Sequence, residues 1–122
     1  HLASSAASDV YKRQIQTLIV VMDLIQMKDN ASKASSLLKA ISHESRLLIL
    51  CLLLRKEMTV GELAEYSDLS QSAFSQHLSV LRNKGLVKCR KESQNVYYSI
   101  KDSSVIKILE ALYGIYCGEE KK

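Results

Sequence analysis

The sequence has no proline and no tryptophan, and only 4 glycines and one phenylalanine in 122 residues. A β-sandwich or barrel needs many turn residues, so this shortage argues against both. With no proline to break them, long helices become the default. Cysteine is also scarce: 3 is too few, and odd, for a secreted disulfide scaffold. A reducing, cytoplasmic setting is therefore expected. No stretch approaches the ~20 uninterrupted apolar residues of a membrane span, so no membrane partner is expected. What is present is an ordinary globular balance, 47% apolar and 25% charged. The length suits one domain. Lys and Arg number 17 against 13 Asp and Glu, a net charge of +4. Charge alone leaves two partner classes, nucleic acid and an acidic membrane surface.

The first fourteen residues, HLASSAASDVYKRQ, are rich in Ala and Ser and lack periodicity. They resemble a translated cloning adaptor. A secretory signal is the rival reading, but Asp23 interrupts the apolar run and no small-residue cleavage site follows. Residues 1–21 are read as a non-native or disordered leader, and 22–122 as the functional domain.

From Asn30 the helical spacing becomes regular. Ala34, Leu37, Leu38 and Ile41 share one face. Ser42 is expected to cap a second helix, with Leu47, Leu48, Cys51 and Leu54 as its buried stripe. Thr59-Val60-Gly61-Glu62 has the form of a capping box opening a short helix. After a turn at 67–69, Ser70 caps a further helix with Phe74, Leu78 and Leu81 inward. Gly85 sits where a terminating glycine belongs. Residues 86–91 and 96–100 read as a β-hairpin with its tip at 92–95. Asp102 or Ser103 caps a last helix whose apolar residues cover two faces, one for its own domain and one for a partner. This order is a winged helix-turn-helix: mainly α with a small β-hairpin, and dimeric.

On the helix after Ser70, the face opposite Phe74, Leu78 and Leu81 carries Ser72, Gln76, Ser79 and Asn83. Such neutral donors and acceptors suit base edges and phosphates, which would repel Glu. Arg82, Lys84, Lys88, Arg90 and Lys91 follow with no anion among them. Across residues 70–101 six cations face one anion, Glu92, so the positive charge of the chain is concentrated here. The plain alternative is a solvated polar face, but the combined footprint favours DNA.

The segments SQSAFSQHLSVLRNKGLV (70–87), ISHESRLLILCLLL (41–54) and MTVGELAEYSDLSQS (58–72) resemble the ArsR/SmtB family of winged-helix regulators. The resemblance implies a homodimer built through the first and last helices on a palindromic double-stranded operator. It implies that Ser70, Gln71, Ser72, Ser75, Gln76 and His77 lie on or near DNA, with Ser79 and Arg82 along the same helix. Arg90 and Lys91 would lie on the wing.

Members of that family sense metals or thiol chemistry. Zinc and its relatives favour Cys and His. The short helix has neither, and the last helix has no His. No metal site and no cofactor are expected. Cys51 alone reads as a small buried hydrophobe, and Cys117 as a helix-end residue. Together they resemble the HlyU/BigR/SqrR-type dithiol branch, which implies a redox-sensing pair responding to oxidants or reactive sulfur. Cys89 on the wing is read as packing, facing the same side as Val87. The alternatives are a regulator with a metal site or with no inducer site. A thiol enzyme is the distant third: no Arg, His or Gly-rich oxyanion site accompanies either cysteine, so no catalytic residue is assigned.

Overall fold

The computed structural model describes residues 2–118. Seven elements follow in order: α1 (Leu2–Ile41), α2 (Glu44–Leu53), α3 (Val60–Ala64), α4 (Gln71–Asn83), β1 (Val87–Glu92), β2 (Asn95–Ile100) and α5 (Ser103–Tyr116). The chain divides into two units, one ending at Ser36 and the other beginning at Leu37.

The first unit is helical from Leu2 onwards. Helical order thus begins well before Asn30, where the spacing becomes regular. The physical reason is the absence of breakers: the first glycine of the chain is Gly61, and proline is missing altogether. Between residues 7 and 36 every side chain is exposed, including apolar Ile15, Leu18, Ile19 and Ile25.

The second unit holds the core. Ala40 and Ile41 close α1 onto it, and Phe74, Leu78 and Leu81 of α4 are buried as the spacing predicts. On α2 the expected stripe is wrong. Ile49, Leu50 and Leu53 form the core face, whereas Leu48, Cys51 and Leu54 are exposed and Leu47 half-buried. In a helix that is apolar nearly all round, periodicity cannot select a face, and the neighbours decide it. The cap differs too. His43 Nδ1, not Ser42, accepts the Ser45 N–H at 3.1 Å, while Ser42 Oγ donates to the Lys39 carbonyl.

The helix-turn-helix is built as read. Thr59 Oγ1 accepts from the Glu62 N–H at 3.2 Å, and Glu62 Oε1 accepts from the Thr59 N–H at 3.1 Å. Ser70 Oγ accepts from the Ala73 N–H at 3.2 Å. Gly85 ends α4 with φ 74°, the left-handed region that favours glycine. Its N–H reaches Arg82 O and the Leu86 N–H reaches Leu81 O, both at 2.9 Å, the paired bonds of a Schellman ending.

β1 and β2 pair antiparallel from Val87↔Ile100 to Glu92↔Asn95, so the turn is only Ser93-Gln94, with Ser93 at φ 57°. Met58 adds a bridge that the sequence does not signal. Its N–H reaches Tyr98 O at 3.1 Å and its carbonyl accepts the Tyr98 N–H at 2.8 Å. Asp102, not Ser103, caps α5, accepting from the Ser104 N–H at 2.8 Å.

Truncating Phe74, fully buried at the base of α4, should cost about 3–5 kcal/mol for Phe74→Ala. Thr59→Ala, which removes one half of the capping box, should cost about 1 kcal/mol. Urea denaturation followed by helical circular dichroism measures both.

Candidate nucleic-acid interface and thiol site

The buried stripe of α4 leaves its opposite face to solvent. Ser70, Gln71, Ser72, Ser75, Gln76, Ser79 and Arg82 are all exposed. They form the short, mostly neutral surface expected from the wheel. Gln71 also leans back over α3: its Nε2 lies 3.6 Å from the position a Cβ on Gly61 would take.

His77 departs from this group. It is half-buried on the flank of α4, its ring 4.4 Å from that of His43. Arg46 Nη1 donates to His77 Nδ1 at 3.5 Å, while Arg46 Nε donates to the Ala40 carbonyl at 2.5 Å. One arginine therefore caps the end of α1 and touches the middle of α4. The expectation that His77 lies towards DNA gives way to a packing role at this joint. Sequence spacing offers no hint of the contact, since His43 and His77 lie on different helices. Among the described residues no third metal ligand joins them. Burial holds the His77 pKa below its ordinary value, and the nearby His43 and Arg46 act in the same direction.

On the wing, alternation places Val87, Cys89 and Lys91 on one side and Lys88, Arg90 and Glu92 on the other. Cys89 is half-buried opposite Tyr98, consistent with packing. Arg90 is not an available cation. Its Nε donates to Glu57 Oε1 at 3.0 Å and Oε2 at 2.9 Å, and its Nη2 also reaches Glu57. Its Nη1 donates to Glu92 Oε2 at 2.6 Å, and the guanidinium lies over the Tyr97 ring at 4.8 Å. The Arg90 hydrogen bonds hold the Glu57 carboxyl below the usual carboxylate range, and the charge of Lys88 adds to the effect. Among the described residues, Lys88 and Lys91 form no ion pair and remain the wing's exposed cations.

The cysteines meet differently from the expectation for each alone. Cys51 is exposed, not buried in the core, because it lies on the face of α2 away from Ile49, Leu50 and Leu53. That face and α5 enclose a cavity of about 690 Å³, with Leu47, Cys51, Leu54 and Arg55 on one side and Leu109, Leu112, Tyr113, Tyr116 and Cys117 on the other. Both thiols are free. Partial burial raises the Cys51 pKa, and the neighbouring Cys117 raises it further. At neutral pH the thiol form is favoured, which slows its direct attack on electrophiles.

Residues 43–88 match the model of the bacterial regulatory protein, arsR family. The transcriptional activator HlyU of Vibrio cholerae serotype O1 is 50% identical over 96 residues, covering 79% of this chain and 89% of that protein. The chain belongs to the arsR family. Within it, the likeness is to the HlyU/BigR branch. The structure of reduced HlyU from Vibrio cholerae matches with TM-score 0.72 and 50% identity, covering 75% of this chain and 97% of that one. The transcriptional repressor BigR from Xylella fastidiosa matches with TM-score 0.70 and 35% identity, covering 75% and 94%. This arsR-family chain is thus a winged-helix transcriptional regulator, with DNA binding implied by its family. No described helix is long and apolar enough to cross a membrane.

Two titrations follow. Neutral His77 is the form that the fold stabilises, so its contribution is complete above pH 6.5 and is lost as pH falls through its lowered value. The wild-type melting temperature should therefore fall more steeply below about pH 6 than that of His77→Gln. The alkylation rate of Cys51 by iodoacetamide should keep rising with pH beyond the ordinary thiol range, and Cys117→Ser should move that rise to lower pH.

Proposed function

We propose that this chain acts as a homodimeric, operator-binding regulator switched through Cys51 and Cys117. The observation that carries the switch is the cavity shared by the two cysteines. Oxidation removes two electrons and two protons from the thiols and joins the sulfurs. Reactive sulfur species would instead leave additional sulfur atoms between them. Either product ties α5 to α2. A regulator responds if its two states differ in affinity for DNA.

For DNA, the exposed face of α4 enters the major groove. Ser72, Ser75, Gln76 and Ser79 face base edges, and Ser70, Gln71 and Arg82 face the backbone. Lys88 and Lys91 carry the wing's charge to the flanking phosphates. Dimerisation is assigned to α1 and α5. On α5, Ile115 and Tyr116 are 63% and 75% exposed, an apolar surface of the kind a second copy would cover. Two-fold symmetry then predicts a palindromic operator with half-sites roughly 34 Å apart.

Fluorescence anisotropy with a duplex selected by the protein from a random pool tests the reading. Wild-type affinity should change by about 5- to 150-fold on treatment with a persulfide or diamide. Cys51→Ser and Cys117→Ser should each abolish that change while retaining reduced-state affinity. An equal response in both variants would remove the thiol switch. A response to zinc in the absence of any thiol response would favour a metal-sensing regulator.

A further inference from the structure

We infer that Arg90 is a positioning residue that latches the wing to the end of α2, and that it does not bind phosphate. The loop between α2 and α3 grips the hairpin at two successive residues. Glu57 holds Arg90 of β1 through its carboxylate, and Met58 holds Tyr98 of β2 through two backbone bonds. One grip is side chain to side chain, and the other is main chain to main chain. They fall on adjacent strands, so together they constrain the hairpin against rocking about either one. Tyr97, directly opposite Arg90 in register, covers the guanidinium from the second strand.

The chemistry is that of a fork, not a point charge. Arg90 presents Nε and Nη2 to the two oxygens of Glu57, and Nη1 to Glu92. A planar guanidinium suits this bidentate arrangement and an ammonium does not. The two carboxylates also outweigh the single positive charge. A phosphate approaching Arg90 would meet Glu57 and Glu92 at the same place, and would have to displace both. The exposed Lys88 and Lys91 offer the backbone a route with no such penalty.

The latch ends next to the thiol cavity in sequence. Leu54 and Arg55 line that cavity, and Glu57 follows two residues after Arg55. The wing is thus anchored to the segment that also walls the site.

The test uses the full-length protein and a duplex selected by the wild type from a random pool, with anisotropy read across a salt series. Glu57→Gln, Arg90→Gln and Arg90→Lys are compared with the Glu57→Gln/Arg90→Gln double variant. Each single change should weaken binding by about three- to tenfold. The double variant should be no weaker than either single. Arg90→Lys should behave like Arg90→Gln, because it keeps the charge but loses the fork. The salt slope should be unchanged in all of them. The inference is overturned if Arg90→Gln lowers the slope by about 0.9, the signature of one lost phosphate contact, and Arg90→Lys restores it. It is equally overturned if Glu57→Gln tightens binding, or if the two single losses multiply in the double variant. Circular dichroism of each variant separates loss of the latch from loss of fold.

Discussion

The contact of α4's inner stripe with the core governs the rest of the molecule. Phe74, Leu78 and Leu81 have almost no exposure, and they meet a core to which α2 contributes Ile49, Leu50 and Leu53. Burying large apolar side chains of this kind is worth about 1.5–3 kcal/mol each. That burial fixes the rotation of α4 about its axis. The serines and glutamines on the opposite face have little apolar area of their own to anchor. They are held outward because the other side of the helix is held inward. The two caps complete the arrangement: Ser70 sets where the helix starts, and Gly85 turns the chain into the wing.

Fixing α4 also distributes the charge. The cations of residues 70–101 look in sequence like one continuous basic run. In the fold they have separate roles. Arg82 is exposed on α4, Lys88 and Lys91 are exposed on the wing, and Arg90 is held by Glu57 and Glu92. A modest net charge can serve DNA binding because it is concentrated, but one of its most conspicuous members is spent inside the protein. The same separation applies to the histidine of α4, which joins Arg46 and His43 at the junction of α1 and α2.

The likeness to both an activator and a repressor fits a site whose output depends on the promoter. Nothing in the shape of α4 or the wing distinguishes blocking polymerase from displacing another protein. The chemistry that varies between such regulators lies away from the DNA-facing surface, where α2 and α5 enclose the two thiols.

Local features were legible in the sequence wherever the physics was local. A capping box closes over three residues, a helix stripe repeats within two turns, and a left-handed glycine follows its own helix. Thr59, Glu62, Ser70, Phe74, Leu78, Leu81 and Gly85 all take the places that their spacing indicates. The family resemblance rests on these same segments. What only the tertiary structure decided involves residues far apart or helices without a pattern. The uniformly apolar α2 carries no signal for which side faces inward, so Cys51 became exposed where local reasoning buried it. Arg90 and Glu57 are 33 residues apart, and no local rule joins them. Periodicity states how apolar each face of an element is. It does not state which neighbour that face will meet, because that depends on how all the elements pack at once.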